Sequence, residues 1–121
     1  MIGLDFTGKN VIITGGNGGI GTPVTEGVLA GGGSVILTAR RNIDDFADAL
    51  REKYGQDKVR VAIIDMADPE AIRSGYAKII EEVGRVDVLI NIAGVISKKP
   101  FEELDQAEWD RTIAVNLTAL F

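Results

Sequence analysis

A glycine-rich stretch, residues 14–21 with the sequence TGGNGGIG, follows an apolar run and precedes a segment with helical spacing. Glycine allows a strand to turn sharply into a helix. It also removes the Cβ atoms that would hold a phosphate away from backbone N–H groups. The apolar run, residues 11–13, is typical of a strand buried in a parallel sheet. The stretch therefore predicts a strand, a phosphate-binding turn and a helix, in that order.

Composition limits the classes of function. The chain has 121 residues, 45% hydrophobic and 26% charged, which suits one domain with a packed core. It contains no Cys and no His, so we expect no disulfide and no metal site. A net charge of -5 argues against non-specific binding to nucleic acid or to an anionic membrane. No leader or membrane-spanning pattern is found, and we expect a cytoplasmic protein.

Strand patterns alternate with helical patterns along the chain. Strands are predicted at residues 10–14, 34–38, 59–64 and 87–91. Helices are predicted after Gly21, from an Asn42 cap to near Gly55, from Asp68-Pro69 to Gly84, and from a capping box at residues 105–108. Four βα units predict a three-layer α/β fold, a Rossmann-like parallel sheet with strand order 3-2-1-4, as one dinucleotide-binding domain over residues 1–121.

Two helices have apolar residues at helical spacing. In the third helix these residues are predicted to lie in the core: Ile72, Tyr76, Ile79 and Val83. In the fourth helix the corresponding stripe, also predicted to be buried, contains one polar member: Trp109, Ile113, Asn116 and Leu120. A buried amide needs hydrogen-bond partners, so Asn116 either has a specific contact or is a half-exposed helix residue.

The residues that follow the second and third strands could contact a dinucleotide. Arg40 and Arg41 occupy the place where a site for the unphosphorylated cofactor needs a carboxylate. Two guanidiniums can bind a phosphate, so NADP(H) is favoured over NAD(H). Asp65 follows the third strand at the edge where open α/β sheets bind ligands, and it could contact a ligand or simply cap a loop.

Residues 3–9, GLDFTGK, match part of a nucleotide triphosphate-binding P-loop. The context contradicts this match. Asn10 stands where a P-loop has a Ser or Thr for magnesium, and the stretch precedes the first strand instead of following one. We predict a polar turn here.

Four motifs in order resemble those of the short-chain dehydrogenase/reductase family. They are Thr14-Gly15-x-x-x-Gly19-x-Gly21, Asp65, Asn91-Ile92-Ala93-Gly94 and Val115-Asn116-Leu117. Ile92 departs from the family pattern, which has a second Asn. The resemblance covers the N-terminal, cofactor-binding half of the family. It implies these cofactor-binding residues: Gly15, Asn17, Gly18, Gly19, Ile20, Gly21, Arg40, Arg41, Asp65, Met66, Asn91, Ala93 and Gly94.

The resemblance also implies what this chain lacks. Family catalysis uses a Ser and a Tyr-x-x-x-Lys pair, and the doubly wound fold has a second half. Tyr54 and Lys58 have the right spacing, but Gly55 should end the helix between them, so we assign this match to chance. Asn116 alone matches the catalytic group, in a supporting role. We expect this chain to be inactive, with hydride transfer to a small carbonyl or alcohol substrate only in a full-length parent.

Two alternatives remain. The chain could be a non-catalytic half-Rossmann module that binds or self-associates, because the fourth strand would present a bare apolar edge that a second copy could pair with. A homo-oligomer is then expected. A phosphorylated receiver domain would explain Asp65, but the first strand ends without the acidic pair that such a domain needs for magnesium.

Overall fold

The computed structural model describes residues 3–121, in which four strands alternate with four α-helices. The strands are β1 (Asn10–Thr14), β2 (Ser34–Ala39), β3 (Val59–Ile63) and β4 (Val88–Asn91). The helices are α1 (Gly21–Ala30), α2 (Asp44–Tyr54), α3 (Pro69–Val83) and α4 (Gln106–Asn116). Two short 3-10 helices, Phe101–Glu103 and Thr118–Leu120, flank α4.

The four strands form one parallel sheet in the order β3-β2-β1-β4, as predicted. In the register, Ile12 of β1 lies opposite Ile36 of β2 on one side and Leu89 of β4 on the other. Because all four strands run in the same direction, their carboxyl ends meet at one edge of the sheet. The loops after β1, β2, β3 and β4 therefore lie next to one another.

Helices cover both faces of the sheet, which confirms the three-layer architecture. On one face, alternate residues of β1 and β2 pack with α1 and α2 in the cluster Val11, Ile13, Val28, Leu29, Val35, Leu37, Ala47, Leu50 and Val59. On the other face, Ile12 and Ile36 form a second cluster with Ile64 and with Ile79 of α3. Successive side chains of a strand point to opposite faces of the sheet. Because helices cover both faces, the central strands contain runs of successive apolar residues.

The predicted core residues of α3 are confirmed. Ile79 is buried, and Ile72, Tyr76 and Val83 are partly buried against the same cluster. The Asp68 carboxylate caps α3 by accepting the Glu70 and Ala71 N–H groups at 3.0 and 3.3 Å. Burial of the Tyr76 ring raises the pKa of its hydroxyl.

The helix boundaries at glycine follow from backbone conformation. Gly84 ends α3 with φ 75°, and its N–H donates to the Ile80 carbonyl. Gly55 ends α2 with φ 125°. Tyr54 is the last residue of α2, whereas Lys58 precedes β3, so the two do not share a helix face. The Asp105 to Glu108 capping box of α4 is present as predicted.

Several boundaries differ from the predictions. β2 continues to Ala39, β3 ends at Ile63, and β4 begins at Val88. Asp87, predicted as a strand residue, instead binds the Asn10 N–H with its carboxylate at 2.9 Å. Ile43 occupies the N-cap position of α2, so the predicted Asn42 cap is one residue too early. The Asn42 side chain accepts the Asp44 N–H in a local turn before the helix.

The predicted burial of the α4 stripe is wrong. Trp109 and Ile113 are 52% and 37% exposed, and Leu120 is 49% exposed and lies beyond the end of the helix. Helix α4 instead buries Val115, which is 5% exposed. The stripe has apolar spacing, but no element of residues 3–121 covers that side of the helix. Periodicity detects an apolar face without showing what lies against it.

None of the helices within residues 3–121 is long and apolar enough to cross a membrane.

Candidate functional site

The loops at the carboxyl ends of the strands enclose an open cavity of about 670 Å³. This volume lies in the range of small-molecule and cofactor sites. Of the thirteen residues predicted to bind a cofactor, twelve line the cavity: Gly15, Asn17, Gly18, Gly19, Ile20, Gly21, Arg40, Arg41, Asp65, Met66, Ala93 and Gly94. The sheet therefore brings together residues from all four strand ends.

Asn91 is the predicted residue that does not line the cavity. It is the last residue of β4 and lies opposite Thr14 in the register between the two strands. The residues that follow it, Ile92 to Val95, form the wall of the cavity at this strand end. Asn91 thus lies at the base of the cavity wall, while the chain beyond it borders the open space.

Thr14 connects β1 to the chain that follows β4. Its hydroxyl oxygen accepts the N–H groups of Ile92 and Ala93, each at 3.1 Å. The side chain is 1% exposed, so these bonds are shielded from water. A threonine at this position fixes the wall residue Ala93 relative to the glycine-rich loop.

Three glycines of the loop are required by the packing of the protein itself. Gly15 has φ 68°, and a Cβ there would lie 2.9 Å from the Ala93 backbone. A Cβ on Gly16 would lie 2.6 Å from the Leu37 side chain, and one on Gly21 would lie 2.0 Å from the Gly15 carbonyl oxygen. These positions allow β1, α1 and the loop after β4 to approach closely.

Gly19 has a different environment. A Cβ on Gly19 would contact nothing within 4 Å, and its φ lies outside the region that favours glycine. The packing of residues 3–121 therefore does not explain why this position lacks a side chain. Gly19 lines the cavity, so the missing side chain leaves room there for a ligand to approach the backbone.

The amino end of α1 faces this opening without a capping side chain. Ile20 precedes the helix and makes no side-chain cap, and the first turn contains no acidic residue. Within residues 3–121, the backbone N–H groups of Gly19 and Ile20 have no hydrogen-bond acceptor. Free N–H groups and the positive end of a helix together favour an anion such as a phosphate.

Arg40 and Arg41 enter the cavity from the loop after β2. Both are exposed, and neither makes a hydrogen bond or ion pair in the part of the chain that the structure describes. Arg51, by comparison, binds Asp48 of the same helix, α2, at 2.9 Å. The cavity thus contains two guanidiniums that form no ion pair with an acidic side chain of residues 3–121.

Asp65 lies after β3 and is partly engaged by its own loop. One carboxylate oxygen accepts the Ala67 N–H at 2.9 Å. The second oxygen makes no hydrogen bond within residues 3–121 and remains available as an acceptor. Of the two roles considered from the sequence, loop capping is therefore present, and the cavity position also allows contact with a ligand.

Asn116 has the specific partners that its amide requires. Its carbonyl oxygen accepts the Val95 N–H and its amide nitrogen donates to the Val95 carbonyl, both at 2.8 Å. Because Asn116 ends α4 and Val95 follows β4, this pair of hydrogen bonds attaches the helix to the cavity wall. The residue itself is exposed, unlike the buried amide that the sequence predicted.

An ion pair strengthens the same attachment farther along the loop. Lys99 binds Glu108 of α4 at 2.9 Å. The hydrogen bond from Lys99 lowers the pKa of the Glu108 carboxyl, and the hydrogen bond to Glu108 raises the pKa of the Lys99 ammonium. The loop that contains Lys99 is thus tied to α4.

Eight residues of the cavity lining were not predicted from the sequence. They are Thr38, Ala39, Ile43, Ile64, Ile92, Val95, Arg111 and Val115. Thr38, Ala39 and Ile64 adjoin strand ends and could have been found from strand direction alone. Arg111 and Val115 lie four residues apart on α4, a spacing that places them on one helix face. Only the docking of that helix shows that this face borders the cavity.

Within residues 3–121 no three or more acidic side chains form a group that could hold a metal ion. The site therefore depends on backbone N–H groups, guanidiniums and one carboxylate.

The sequence matches the family model for short chain dehydrogenase over residues 9–121. The chain belongs to this family. It is 33% identical over 119 residues to gluconate 5-dehydrogenase of Gluconobacter oxydans (strain 621H), a match that covers 98% of this chain and 46% of that protein. The family membership predicted from the sequence motifs is therefore confirmed.

Solved structures of short-chain dehydrogenases share the fold. L-sorbose reductase from Gluconobacter frateurii, complexed with NADPH and L-sorbose, has a TM-score of 0.88 and 28% identity, covering 98% of this chain and 46% of that one. A glucose/ribitol dehydrogenase-type member from Brucella melitensis has a TM-score of 0.87 and 31% identity, and the match covers 99% of this chain and 50% of that one. The chain spans about half the length of the relatives that it matches.

Proposed function

We propose that this chain is the cofactor-binding portion of an NADP(H)-dependent oxidoreductase of the short-chain dehydrogenase family, and that residues 1–121 form one dinucleotide-binding domain. The observation that carries the proposal is the pairing of two features in one cavity. Among residues 3–121, no acceptor is present for the Gly19 and Ile20 N–H groups at the amino end of α1, and no acidic side chain pairs with the two arginines that follow β2. A dinucleotide with an additional phosphate complements both features.

The residues present fit such a cofactor. The N–H groups of Gly19 and Ile20 would hold the pyrophosphate, because the missing Cβ of Gly19 lets it approach the backbone. The free oxygen of Asp65 would accept a hydrogen bond from the adenine amino group. Ala93 and Gly94 are small enough to border a ribose and a flat ring.

Arg40 and Arg41 support NADP(H) over NAD(H). A site for NAD(H) needs a carboxylate after the second strand to accept hydrogen bonds from the ribose hydroxyls. Here two guanidiniums occupy that place, and a guanidinium forms strong, paired hydrogen bonds with a phosphate. The NADPH in the L-sorbose reductase structure is in keeping with this choice.

The reaction of the parent protein would be hydride transfer between the nicotinamide, which supplies or accepts the hydride, and a small carbonyl or alcohol substrate. In this chain, Asn116 would support the active site by fixing Val95 and the adjoining wall. The Ser and the Tyr-x-x-x-Lys pair of the family are not matched at any usable position in residues 1–121. We therefore propose that this chain alone binds cofactor without catalysing its oxidation or reduction.

Cofactor titration of the full chain tests the proposal. NADPH and NADH are each titrated while the fluorescence of the reduced nicotinamide is followed. We expect tighter binding of NADPH, and we expect Arg40→Asp to reverse the order of the two affinities. The matched control is Arg73→Asp, which introduces the same change of charge on the outer surface of α3. Absence of binding of either cofactor at millimolar concentration would contradict the proposed function.

Self-association is a second candidate function, supported by exposed apolar side chains. Leu89 of β4 at the sheet edge is 46% exposed, and Trp109 on α4 is 52% exposed. Pairing of β4 with β4 of a second copy would extend the sheet and cover such side chains. Sedimentation over a hundredfold range of concentration would show a dimer if this candidate is correct, and a single monomeric species if it is not.

A further inference from the structure

The cavity contains a third arginine that the sequence motifs did not include. Arg111 belongs to α4 and lines the cavity together with Val115, which lies one helical turn later. Residues four apart share a helix face, and both of these line the cavity, so this face of α4 borders it. Arg40 and Arg41 reach the cavity from the loop after β2, whereas Arg111 reaches it from a helix that follows β4.

Arg111 makes no hydrogen bond and no ion pair in the part of the chain that the structure describes. Its neighbour on α4, Asp110, accepts a hydrogen bond from Gln106 instead. Asp65 lines the same cavity but is not within 4.0 Å of the Arg111 guanidinium. The cavity therefore holds a free donor and a free acceptor that do not neutralise each other.

These groups suit the chemistry of an adenine ring. Adenine presents an amino donor beside ring-nitrogen acceptors, and its face attracts a guanidinium. The free oxygen of Asp65 can accept from the amino group, and Arg111 can donate to a ring nitrogen or stack on the ring. Ile64, Met66 and Val115 add apolar surface that a flat ring can cover.

We propose that Arg111 is a further cofactor-binding residue that contacts the adenine moiety opposite Asp65. This inference rests on the proposed function, because it assigns a role within the same dinucleotide site. It differs from the role of Arg40 and Arg41 in one measurable respect. A contact to adenine stabilises NADP(H) and NAD(H) equally, since both cofactors contain the same base, whereas a contact to the additional phosphate favours NADP(H) alone.

Titration of three variants of the full chain tests the assignment. Arg111→Ala should weaken the binding of NADPH and of NADH by the same factor, roughly 3- to 30-fold for a charged hydrogen bond or a cation–π contact. Arg111→Lys should lose part of that factor, because an ammonium keeps the charge without the planar group. Binding of reduced nicotinamide mononucleotide, which lacks adenine, should not change.

The control variant is Arg73→Ala, which removes an exposed helix arginine that pairs with Glu70 outside the cavity. It should leave all three affinities unchanged. Thermal unfolding should show that Arg111→Ala is folded, because the side chain is exposed.

Three results would overturn the assignment. Unchanged affinities in Arg111→Ala would show that the residue does not contact the cofactor. Loss of NADPH binding alone would make Arg111 a third ligand of the phosphate. If the unsubstituted chain binds neither cofactor, the proposed function fails and the role of Arg111 fails with it, a result distinct from the other two.

Discussion

At the scale of the residue, the buried hydroxyl of Thr14 holds the cavity wall in place. Thr14 contributes one buried hydroxyl oxygen that accepts two N–H groups. Ile92 also donates to the Thr14 carbonyl at 3.2 Å, but no second acceptor is present for the Ala93 N–H within residues 3–121. Among residues 3–121, the hydroxyl of Thr14 is therefore the one acceptor for the Ala93 N–H.

Replacing Thr14 with Val should lower the free energy of unfolding by about 1–3 kcal/mol, because it leaves the Ala93 N–H without an acceptor. Thr14→Ser is the matched control, since it keeps the oxygen and removes only a methyl group. Urea unfolding followed by circular dichroism measures both variants. Equal stability of the Val and Ser variants would show that the hydroxyl contributes nothing.

Gly19 offers a residue-scale prediction that separates binding from folding. Gly19→Ala should change the free energy of unfolding by less than about 0.5 kcal/mol, because the added methyl group would have no atom of residues 3–121 within 4 Å. It should weaken NADPH binding roughly tenfold, equivalent to about 1.4 kcal/mol, because the methyl group enters the space next to the free N–H groups. Gly27→Ala, on the outer side of α1, is the control and should leave NADPH affinity unchanged. Full retention of affinity in Gly19→Ala would contradict the assigned pyrophosphate position.

At the scale of the element, the two helices α1 and α3 each contain an internal glycine, and the two glycines have opposite surroundings. A Cβ on Gly27 of α1 would contact nothing within 4 Å. A Cβ on Gly75 of α3 would lie 2.5 and 2.8 Å from two carbons of Ile64, which is 3% exposed. Gly75 therefore permits the close approach of α3 to the end of β3, whereas no close packing against residues 3–121 requires a glycine at position 27.

The same substitution should have opposite effects in the two helices. Gly27→Ala should raise the free energy of unfolding by about 0.5–1 kcal/mol, because alanine loses less backbone entropy in a helix. Gly75→Ala should lower it by about 1–3 kcal/mol through overpacking against Ile64. Chemical denaturation of both variants measures the two changes. A stabilising effect at both positions would show that α3 moves away from Ile64 at little cost.

At the scale of the whole molecule, Asp87 connects the start of β1 with the start of β4, 77 residues later in the chain. Its carboxylate accepts the Asn10 N–H at 2.9 Å and pairs with Arg85 at 2.6 Å. The hydrogen bond from the Asn10 backbone lowers the pKa of the Asp87 carboxyl, with a further contribution from the positive charge of Arg85.

This pKa shift predicts how stability depends on pH. Because the folded-state pKa lies below the ordinary value of 3.8, ionised Asp87 stabilises the fold above that pH, and the contribution is lost as the pH falls through the lowered pKa. Asp87→Asn should be less stable than the unsubstituted chain at pH 7, and the difference should shrink below about pH 4. Denaturation between pH 7 and pH 2.5 measures this difference. Asp57→Asn is the control, because the Asp57 carboxylate makes no hydrogen bond in the described residues. If the stability difference between Asp87→Asn and the unsubstituted chain stays constant with pH, the assigned role of Asp87 is wrong.

The order of the elements, the parallel sheet and twelve cavity-lining residues could be predicted from the amino-acid sequence. These features depend on local chemistry. Apolar runs favour buried strands, glycines shape the turn after β1, and Asp68 caps its own helix within three residues. The carboxyl ends of parallel strands share an edge of the sheet, so residues such as Arg40 and Asp65 could be assigned to one site from the amino-acid sequence alone.

Tertiary structure alone decided how α4 meets the cavity. The sequence contained the apolar stripe of Trp109 and Ile113, yet the helix buries Val115 instead, because Asn116 binds the backbone of Val95, 21 residues earlier in the chain. That contact attaches the end of α4 to the cavity wall, and Arg111 of the same helix lines the cavity. The spacing of residues within a helix shows which side chains share a face, but only a contact between distant segments determines what that face meets.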